Sequence, residues 1–311
     1  MKLDAMEGAA GASAAVADRT IDNVRAFWND HPCGAWRVKE AFGTPEFYEA
    51  YRRYRYWKQW HIPRLVPFER FAGKDVLEIG CGLGAEGVRF AQAGARYTGV
   101  DLSDVAVDAT RLHFEAQGLT GRFLMQNAEE LSGLSDESFD LVYSHGVLHH
   151  TPDLSAALRQ IHLVLRPGGE IILMLYHKHS FNYYVRILGY QRAQALAYVA
   201  MRRLLPSGLR TPKLEEHYKN YGRMGARYFG SDQFPHHCAD GVTCPIAYSF
   251  SRAEVRRLLA GRFEQIRFSV AHLPVRETLP FIPRGVEGAF ASRIGWYLFI
   301  YGRRSGSAAT G

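Results

Sequence analysis

Short apolar runs alternate with helix-like segments between residues 74 and 175 of the chain. The apolar runs cover residues 74–79, 96–101, 122–126, 139–144 and 170–175. Between them, residues 84–93, 103–117 and 153–165 have the apolar spacing of amphipathic helices. Apolar runs of this length suit strands that are buried on both faces. The alternation therefore predicts an α/β fold with an open, mostly parallel sheet.

The alternation stops after residue 175 and resumes only near the C-terminus. Residues 176–247 are rich in Tyr, His, Arg and Gly and show no strand pattern, whereas 263–270 and 296–301 read as two further strands. Ser251 and Glu254 have the spacing of a capping box that opens a helix. The predicted organisation has a binding core at residues 71–175 and a second part of the core at 248–303. An N-terminal cap at 21–70 precedes the core, and a lid insertion at 176–247 divides it. Tails are predicted at 1–20 and 304–311.

Composition sets limits on the class of protein. The 311 residues are 47% hydrophobic and 22% charged, which is typical of a globular protein. The net charge of +7 is too small for a nucleic-acid-binding tail, so no nucleic-acid partner is expected. The four cysteines form no CxxC pair, the first 20 residues lack the apolar stretch of a signal peptide, and no run has the length of a membrane span. These features predict a cytoplasmic protein.

The stretch VLEIGCGLGAEG, residues 76–87, joins the first strand to the first helix through glycines. Glycines at the end of a parallel strand let a ligand lie against the backbone, where the next helix presents free N–H groups. Asp101 ends the second strand, where a carboxylate can bind both hydroxyls of a ribose. The pattern predicts a nucleoside site, and GxGxxG at Gly82–Gly87 leaves a dinucleotide as one alternative.

Three features argue against a dinucleotide. They are Glu78 in the first strand, Asn127 after the third strand, and the Arg-Pro-Gly-Gly strand at 166–175 with the late aromatic strand. The motifs VLEIGCGLG, GVDLS, QNAEEL, FDLVYSHGVLHHTPD and LRPGGEIIL follow one another over about 100 residues. In this combination the chain resembles the class I S-adenosylmethionine-dependent methyltransferases, specifically their type 11-like branch. The resemblance implies a Rossmann-like, seven-stranded sheet with an antiparallel last strand, and S-adenosylmethionine as the cofactor.

The resemblance also implies roles for ten residues of this sequence. Glu78 and the loop would hold the methionine and sugar, Asp101 the ribose, Leu102 the adenine ring, and two residues after the third strand the adenine edge. The full set is Glu78, Gly80, Cys81, Gly82, Gly84, Asp101, Leu102, Asn127, Ala128 and His145. Many relatives have Asp at the position of Asn127, and the amide here has lost that charge.

Methyl transfer from a sulfonium needs alignment, exclusion of water and, for some acceptors, removal of a proton. Side chains at the carboxyl ends of the fourth and fifth strands are placed for this work. The predicted catalytic residues are Tyr176, His177, His149 and His150. For the two adjacent histidines, packing or capping is the competing interpretation.

The predicted lid has no acidic residue from Ile171 to Leu214 and carries seven basic ones. Residues 181–204 could form a helix with one aromatic-aliphatic face and one basic face. A solvated basic face, attraction of an anionic substrate, and docking on an anionic membrane surface are the three interpretations. His236, Cys238 and Cys244 do not have the spacing of a zinc site, so no metal is predicted.

The sequence thus predicts an enzyme that methylates a small molecule, in specialised metabolism, with the acceptor atom and the oligomeric state left open. Aromatic residues between Tyr48 and Trp60 are expected to cover the mouth of the pocket as a cap. One alternative is an enzyme that transfers or cyclises the aminocarboxypropyl arm of the cofactor and releases methylthioadenosine. A second alternative is a binding module that keeps the fold without catalysis, and a dinucleotide oxidoreductase ranks last.

Overall fold

One mixed sheet runs through the protein, as seen in a computed structural model that describes residues 20–241, 243–274 and 281–306. The strand order is β3-β2-β1-β4-β5-β8-β7, and the two-residue strand β6 pairs with β5. The strands are β1 Asp75–Ile79, β2 Arg96–Asp101, β3 Arg122–Met125, β4 Phe139–His145, β5 Leu165–His177, β6 Ser249–Phe250, β7 Phe263–Ala271 and β8 Tyr297–Arg304. Of the two predicted tails, residues 1–19 and 307–311 lie outside the described ranges.

The pairing directions confirm the predicted fold. β3, β2, β1, β4 and β5 run parallel to their neighbours, and β8 lies antiparallel between β5 and β7. All seven predicted strands are present, and β6 is an addition that the sequence pattern did not indicate. The C-terminal tail was predicted to begin one residue too early, at residue 304, because β8 continues to Arg304.

Three helices connect the parallel strands: α4 Ala85–Gln92, α5 Asp104–Ala116 and α6 Leu154–Val164. The side chain of Ser103 accepts a hydrogen bond from the backbone N–H of Ala106, and Asp153 caps α6 in the same way. Because β1, β2 and β4 all end at the same edge of the sheet, the loops that follow them meet there.

The N-terminal segment forms α1 Ile21–Asp30, α2 Pro45–Lys58 and α3 Ile62–Leu65. Thr20 and Thr44 cap the first two helices, and Pro45 occupies the first helical position of α2. Phe47, Tyr48 and Tyr51 of α2 are buried against the glycine loop and α5. The aromatic residues of this segment therefore hold α2 beside the edge where the strands end.

The insertion after β5 is helical. It contains a π-helix at Asn182–Gln191 that continues into α7 Arg192–Met201, followed by α8 Pro212–Met224, α9 Arg227–Gly230 and α10 Gln233–Ala239. The predicted helix at 181–204 is thus present, but many of its apolar side chains face solvent, among them Tyr190 and Leu196. Arg202 makes an ion pair with Glu215 at 2.9 Å, so this part of the basic face is partly neutralised.

The chain then completes the sheet with α11 Arg252–Leu259 and α12 Arg284–Ile294 before β7 and β8, respectively. The capping box is confirmed: Ser251 Oγ accepts from the N–H of Glu254, whose carboxylate accepts from the N–H of Ser251. Across the described ranges, no helix combines the length and the apolar character that crossing a membrane would take.

Candidate active site

A cavity opens at the carboxyl ends of β1, β2, β3 and β4, with about 1080 Å³ of empty space when its mouth is included. The sheet contributes the loops that follow these four strands. The N-terminal helices contribute the opposite wall, with Val24 and Trp28 of α1 and Tyr51 and Arg55 of α2. The cavity is therefore enclosed between the sheet edge and a segment that precedes the core in the chain.

The glycine loop lines this cavity, and two of its glycines have distinct reasons to be glycine. Gly80 has φ +78, and a Cβ there would lie 2.1 Å from the Val147 side chain. Gly82 has φ +55, and a Cβ there would meet no protein atom within 4 Å. Gly80 is thus required by packing between two loops, whereas the space beside Gly82 is left open for a ligand.

Asp101 joins the end of β2 to the glycine loop. Its Oδ2 accepts a hydrogen bond from the N–H of Gly82 at 3.0 Å, and its Oδ1 accepts from the N–H of Ser103 at 3.0 Å. Burial raises the pKa of Asp101, and the two N–H donors act in the opposite direction. Each carboxylate oxygen keeps a second lone pair, so the group is able to accept from two hydroxyls of a ligand.

Two further carboxylates lie behind the loop. Glu78 of β1 is buried and accepts a hydrogen bond from the Tyr97 hydroxyl at 2.6 Å. Glu86 of α4 forms a two-pronged ion pair with Arg55, at 3.1 and 3.0 Å. Burial raises the pKa of Glu78, and the nearby charge of Glu86 raises it further. Arg55 thus ties the N-terminal segment to α4, the helix that follows the glycine loop.

Eight of the ten residues predicted to bind the cofactor line the cavity. They are Gly80, Cys81, Gly82, Asp101, Leu102, Asn127, Ala128 and His145. Glu78 lies one layer deeper, and Gly84 is the N-cap of α4 with φ +76. Asn127 uses its amide oxygen to accept from the N–H of Glu129 at 3.0 Å. The Nε2–H of His145 donates to Gln59 at 2.8 Å, which fixes its ring.

The four predicted catalytic residues occupy different surroundings. His150 lines the cavity, packs against Trp28 and donates its Nδ1–H to the carbonyl of Ile246. His149 is fully buried, its ring lies 3.8 Å from the Tyr176 ring between centroids, and neither of its nitrogens has a hydrogen-bond partner among the described residues. His177 donates to the carbonyl of Gly295 at 3.2 Å, away from the cavity lining.

Asp240, at the end of α10, connects two of these side chains. Its Oδ1 accepts from the Tyr176 hydroxyl at 2.8 Å, and its Oδ2 lies 3.7 Å from Nε2 of His150. Burial raises the pKa of Tyr176, and the charge of Asp240 raises it further. Burial lowers the pKa of His150, and Asp240 opposes that shift. Tyr176 is therefore held as a neutral phenol directed at the insertion.

The residues discussed as a metal site are used in other ways. Cys238 is buried, and Cys244 donates its thiol to the carbonyl of Ile246 at 3.3 Å. His236 packs on the ring of Tyr248. Within the described ranges, no group of three His, Cys, Asp or Glu side chains has the arrangement that holds a metal ion.

Sequence reasoning did not single out five residues that shape the cavity or hold its surroundings: Trp28, Cys33, Arg55, Glu86 and Asp240. Arg55 and Glu86 are a basic and an acidic residue on two buried helix faces, which was an available signal for a pair. Asp240 offered no such signal, because it follows a short helix inside an irregular insertion.

The donor set fits S-adenosylmethionine by charge and by space. Glu78, Glu86 and Asp101 supply three carboxylates against the single guanidinium of Arg55, which suits a ligand with a sulfonium and an ammonium group. The open space beside Gly82 and the free lone pairs of Asp101 suit a ribose. Residues from the glycine loop, β2 and the loop after β3 would hold the cofactor, which supplies an activated methyl group.

Comparisons with known proteins all point to methyltransferases. A family model described as a methyltransferase domain, type 11, matches residues 77–173. The ubiquinone biosynthesis O-methyltransferase of Aeromonas salmonicida is 32% identical over 117 residues, which are 38% of this chain and 49% of the relative. That of Xanthomonas euvesicatoria is 32% identical over 150 residues, 48% of this chain and 57% of the relative. The chain spans about half the length of the curated relatives it matches.

Solved structures share the fold over most of the chain. Magnesium protoporphyrin IX methyltransferase from Synechocystis, with bound S-adenosylhomocysteine, covers 93% of this chain and 100% of its own, with 18% identity and a TM-score of 0.52. A putative methyltransferase of Haloferax volcanii covers 92% of this chain and 99% of its own, with 17% identity and a TM-score of 0.52. Residues 77–173 therefore match a methyltransferase domain, and the chain has the fold of a class I S-adenosylmethionine-dependent methyltransferase.

Proposed function

We propose that the protein transfers the methyl group of S-adenosylmethionine to a small-molecule acceptor. The observation that carries the proposal is the enclosed cavity, which is lined by the glycine loop, Asp101 and Asn127 and also by Trp28, Cys33 and His150. The first group would hold the cofactor, and the second group would contact an acceptor beside it. A cavity closed by α1 and α2 favours a small molecule over a macromolecule.

We also propose that the acceptor atom is a hydroxyl oxygen. His150 is the one predicted catalytic residue in the cavity lining, and its Nδ1–H is committed to the Ile246 carbonyl. In the neutral ring, Nε2 then keeps its lone pair, which is the requirement for a group that takes a hydroxyl proton. Asp240 would stabilise the resulting imidazolium, and Tyr176 would position Asp240. The relatives named above are O-methyltransferases by name, in agreement with this choice.

The assignments to the rest of the chain are part of the same proposal. Residues 21–70 act as a cap over the cavity, and residues 176–247 act as a lid that supplies Asp240. The ten residues named for the cofactor bind it in the roles given above. The cytoplasm is the proposed compartment, because all four cysteines are free thiols.

The products of the reaction test the proposal. The protein is incubated with S-adenosylmethionine and a panel of small phenols, alcohols, amines and thiols, and the nucleoside product is identified by mass spectrometry. S-adenosylhomocysteine together with a methylated hydroxyl compound is the expected result. Methylthioadenosine would instead identify transfer of the aminocarboxypropyl arm, and cofactor binding without turnover of the panel would favour a binding module.

A further inference from the structure

Helix α12, Arg284–Ile294, exposes its large apolar side chains to solvent, which is the reverse of an ordinary surface helix. Its inner face consists of small or paired residues: Gly288 lies so close to Trp60 that a Cβ would come within 3.1 Å of the ring, and Glu287 accepts from the Trp60 indole N–H at 3.0 Å. Its large apolar residues face outward instead. Val286, Phe290 and Ile294 are 48%, 58% and 37% exposed at a spacing of four residues. A stripe of this kind on a surface helix marks an interaction site.

A groove with an unusual density of positive charge adjoins this helix. Three arginines of α11, Arg252, Arg256 and Arg257, line it together with Arg293 of α12, and its described lining includes no acidic side chain. Glu254 of α11 is directed away and pairs with Lys178 at 3.3 Å. Within the described part of the chain, none of the four arginines makes an ion pair, so their charge is available to a ligand.

A second apolar patch borders the groove on the side of the π-helix. Phe181, Tyr184 and Val185 are 44%, 51% and 51% exposed. Tyr184 stacks on His179, and His179 contacts His177; both histidines line the groove. His177 in turn donates to the carbonyl of Gly295, the C-cap of α12. The groove therefore has exposed apolar side chains at two of its borders.

We call the combined surface the interfacial face. Its residues are Phe181, Tyr184, Val185, Arg252, Arg256, Arg257, Val286, Phe290, Arg293 and Ile294.

We propose that the interfacial face docks on the surface of a lipid bilayer that contains anionic lipids. Apolar side chains flanked by arginines are the combination that lies at the boundary of headgroups and acyl chains, with the arginines on lipid phosphates. The 11 residues of α12 are too few to span a bilayer, so the helix lies along the surface. A second copy of the chain fits less well, because a two-fold contact through this face would place arginines against arginines.

Vesicle co-sedimentation of the full chain tests the proposal. The vesicles contain phosphatidylcholine alone, or phosphatidylcholine with a minor share of phosphatidylglycerol. We expect binding to the anionic vesicles and a large reduction at high salt. Arg252→Gln with Arg257→Gln should weaken binding about 25-fold, because each basic residue at an anionic surface is worth a factor of about five. Phe290→Ser with Val286→Ser should weaken it about tenfold or more.

Matched controls distinguish the effect of the interfacial face on vesicle binding from the effects of net charge and of general surface polarity. Lys74→Gln with Arg223→Gln removes the same charge from exposed positions elsewhere, and Leu112→Ser removes an exposed apolar side chain of α5. Both controls should bind vesicles like the native chain. All variants replace exposed residues, and unchanged melting temperatures would show that they are folded.

Three results would overturn the proposal. They are equal binding to neutral and anionic vesicles, absence of binding to both, and control variants that bind as weakly as the variants of the face. A dimer that is lost on Phe290→Ser, in a chain that ignores vesicles, would overturn it in favour of a second copy. The assay requires neither cofactor nor turnover, so its outcome is independent of the proposed methyl transfer.

Discussion

The Gly82→Ala variant distinguishes two roles of this glycine: it adopts a left-handed backbone conformation, and it leaves space for the cofactor beside the loop. Gly82 has φ +55, and the added methyl group would meet no protein atom within 4 Å. The folded protein therefore loses only the cost of a left-handed alanine, about 1–2 kcal/mol. A chain of this size should melt a few degrees lower, since 1 kcal/mol corresponds to about 2–4 °C. The methyl group, however, projects into the space assigned to the cofactor.

The loss of affinity should exceed the loss of stability. A ligand forced away from the loop backbone gives up at least one hydrogen bond to a buried N–H or carboxylate, which is worth about 1.5–3 kcal/mol. This corresponds to a dissociation constant for S-adenosylmethionine that is about 10–100 times higher. Isothermal titration calorimetry gives the constant, and thermal unfolding without ligand gives the stability.

Two other glycines provide the controls. Gly118 has φ +63 and open space around it, but it follows α5 outside the cavity lining. Gly118→Ala should therefore show the same fall in melting temperature and native affinity. Gly80→Ala should unfold most readily, because its methyl group would lie 2.1 Å from Val147. Native affinity in the Gly82 variant would refute the placement of the cofactor against this loop, and reduced affinity in the Gly118 variant would refute the argument from position.

Three further outcomes follow from the contacts. Asp101→Asn should raise the dissociation constant of S-adenosylmethionine by about 10–100 times, measured by calorimetry, since the amide offers one acceptor oxygen in place of two. Tyr176→Phe should lower kcat and leave cofactor affinity unchanged in steady-state and binding assays, because its hydroxyl contacts Asp240 rather than the cavity. Burial lowers the pKa of His61, His113 and His217 to about 3, 4 and 4. As the pH is lowered, these histidines bind protons in the unfolded chain before they do so in the folded protein. The free energy of unfolding, measured with urea, should therefore decrease as the pH falls below about 6.5, by up to about 1.4 kcal/mol per pH unit for each histidine.

The sheet and the cofactor loop were predictable because their signals are local. A parallel strand buried on both faces is a continuous apolar run, as in β1 and β4. Gly80 and Gly82 lie in one turn directly after β1, and Asp101 ends the adjacent strand β2. Such features can be inferred without knowing how distant segments pack.

The acceptor side depends on distant segments and could not be predicted in the same way. Arg55 and Glu86 are 31 residues apart, and Tyr176 and Asp240 are 64 residues apart. The charges of Arg55 and Glu86 on buried helix faces signal that each needs a partner, but neither sequence position tells which residue that partner is. The helices of the insertion and α12 also expose apolar faces, whereas pattern reasoning assumes that an apolar face is buried. Periodicity therefore predicted the helix at 181–204 but not the exposure of Tyr190 and Leu196, and it did not predict α12.

The charges that line the cavity would affect the release of the spent cofactor after the proposed reaction. Glu78, Glu86 and Asp101 are balanced within the site by Arg55 alone, and burial raises the pKa of both Glu78 and Asp101. A ligand with net positive charge favours the ionised carboxylates and gains the attraction of a site with few competing water molecules. Loss of the methyl group would turn the sulfonium into a neutral thioether and would remove its share of that attraction, whereas the ammonium group would keep its charge. The same buried carboxylates that would hold the cofactor would therefore bind the spent product more weakly, which favours exchange after each turnover.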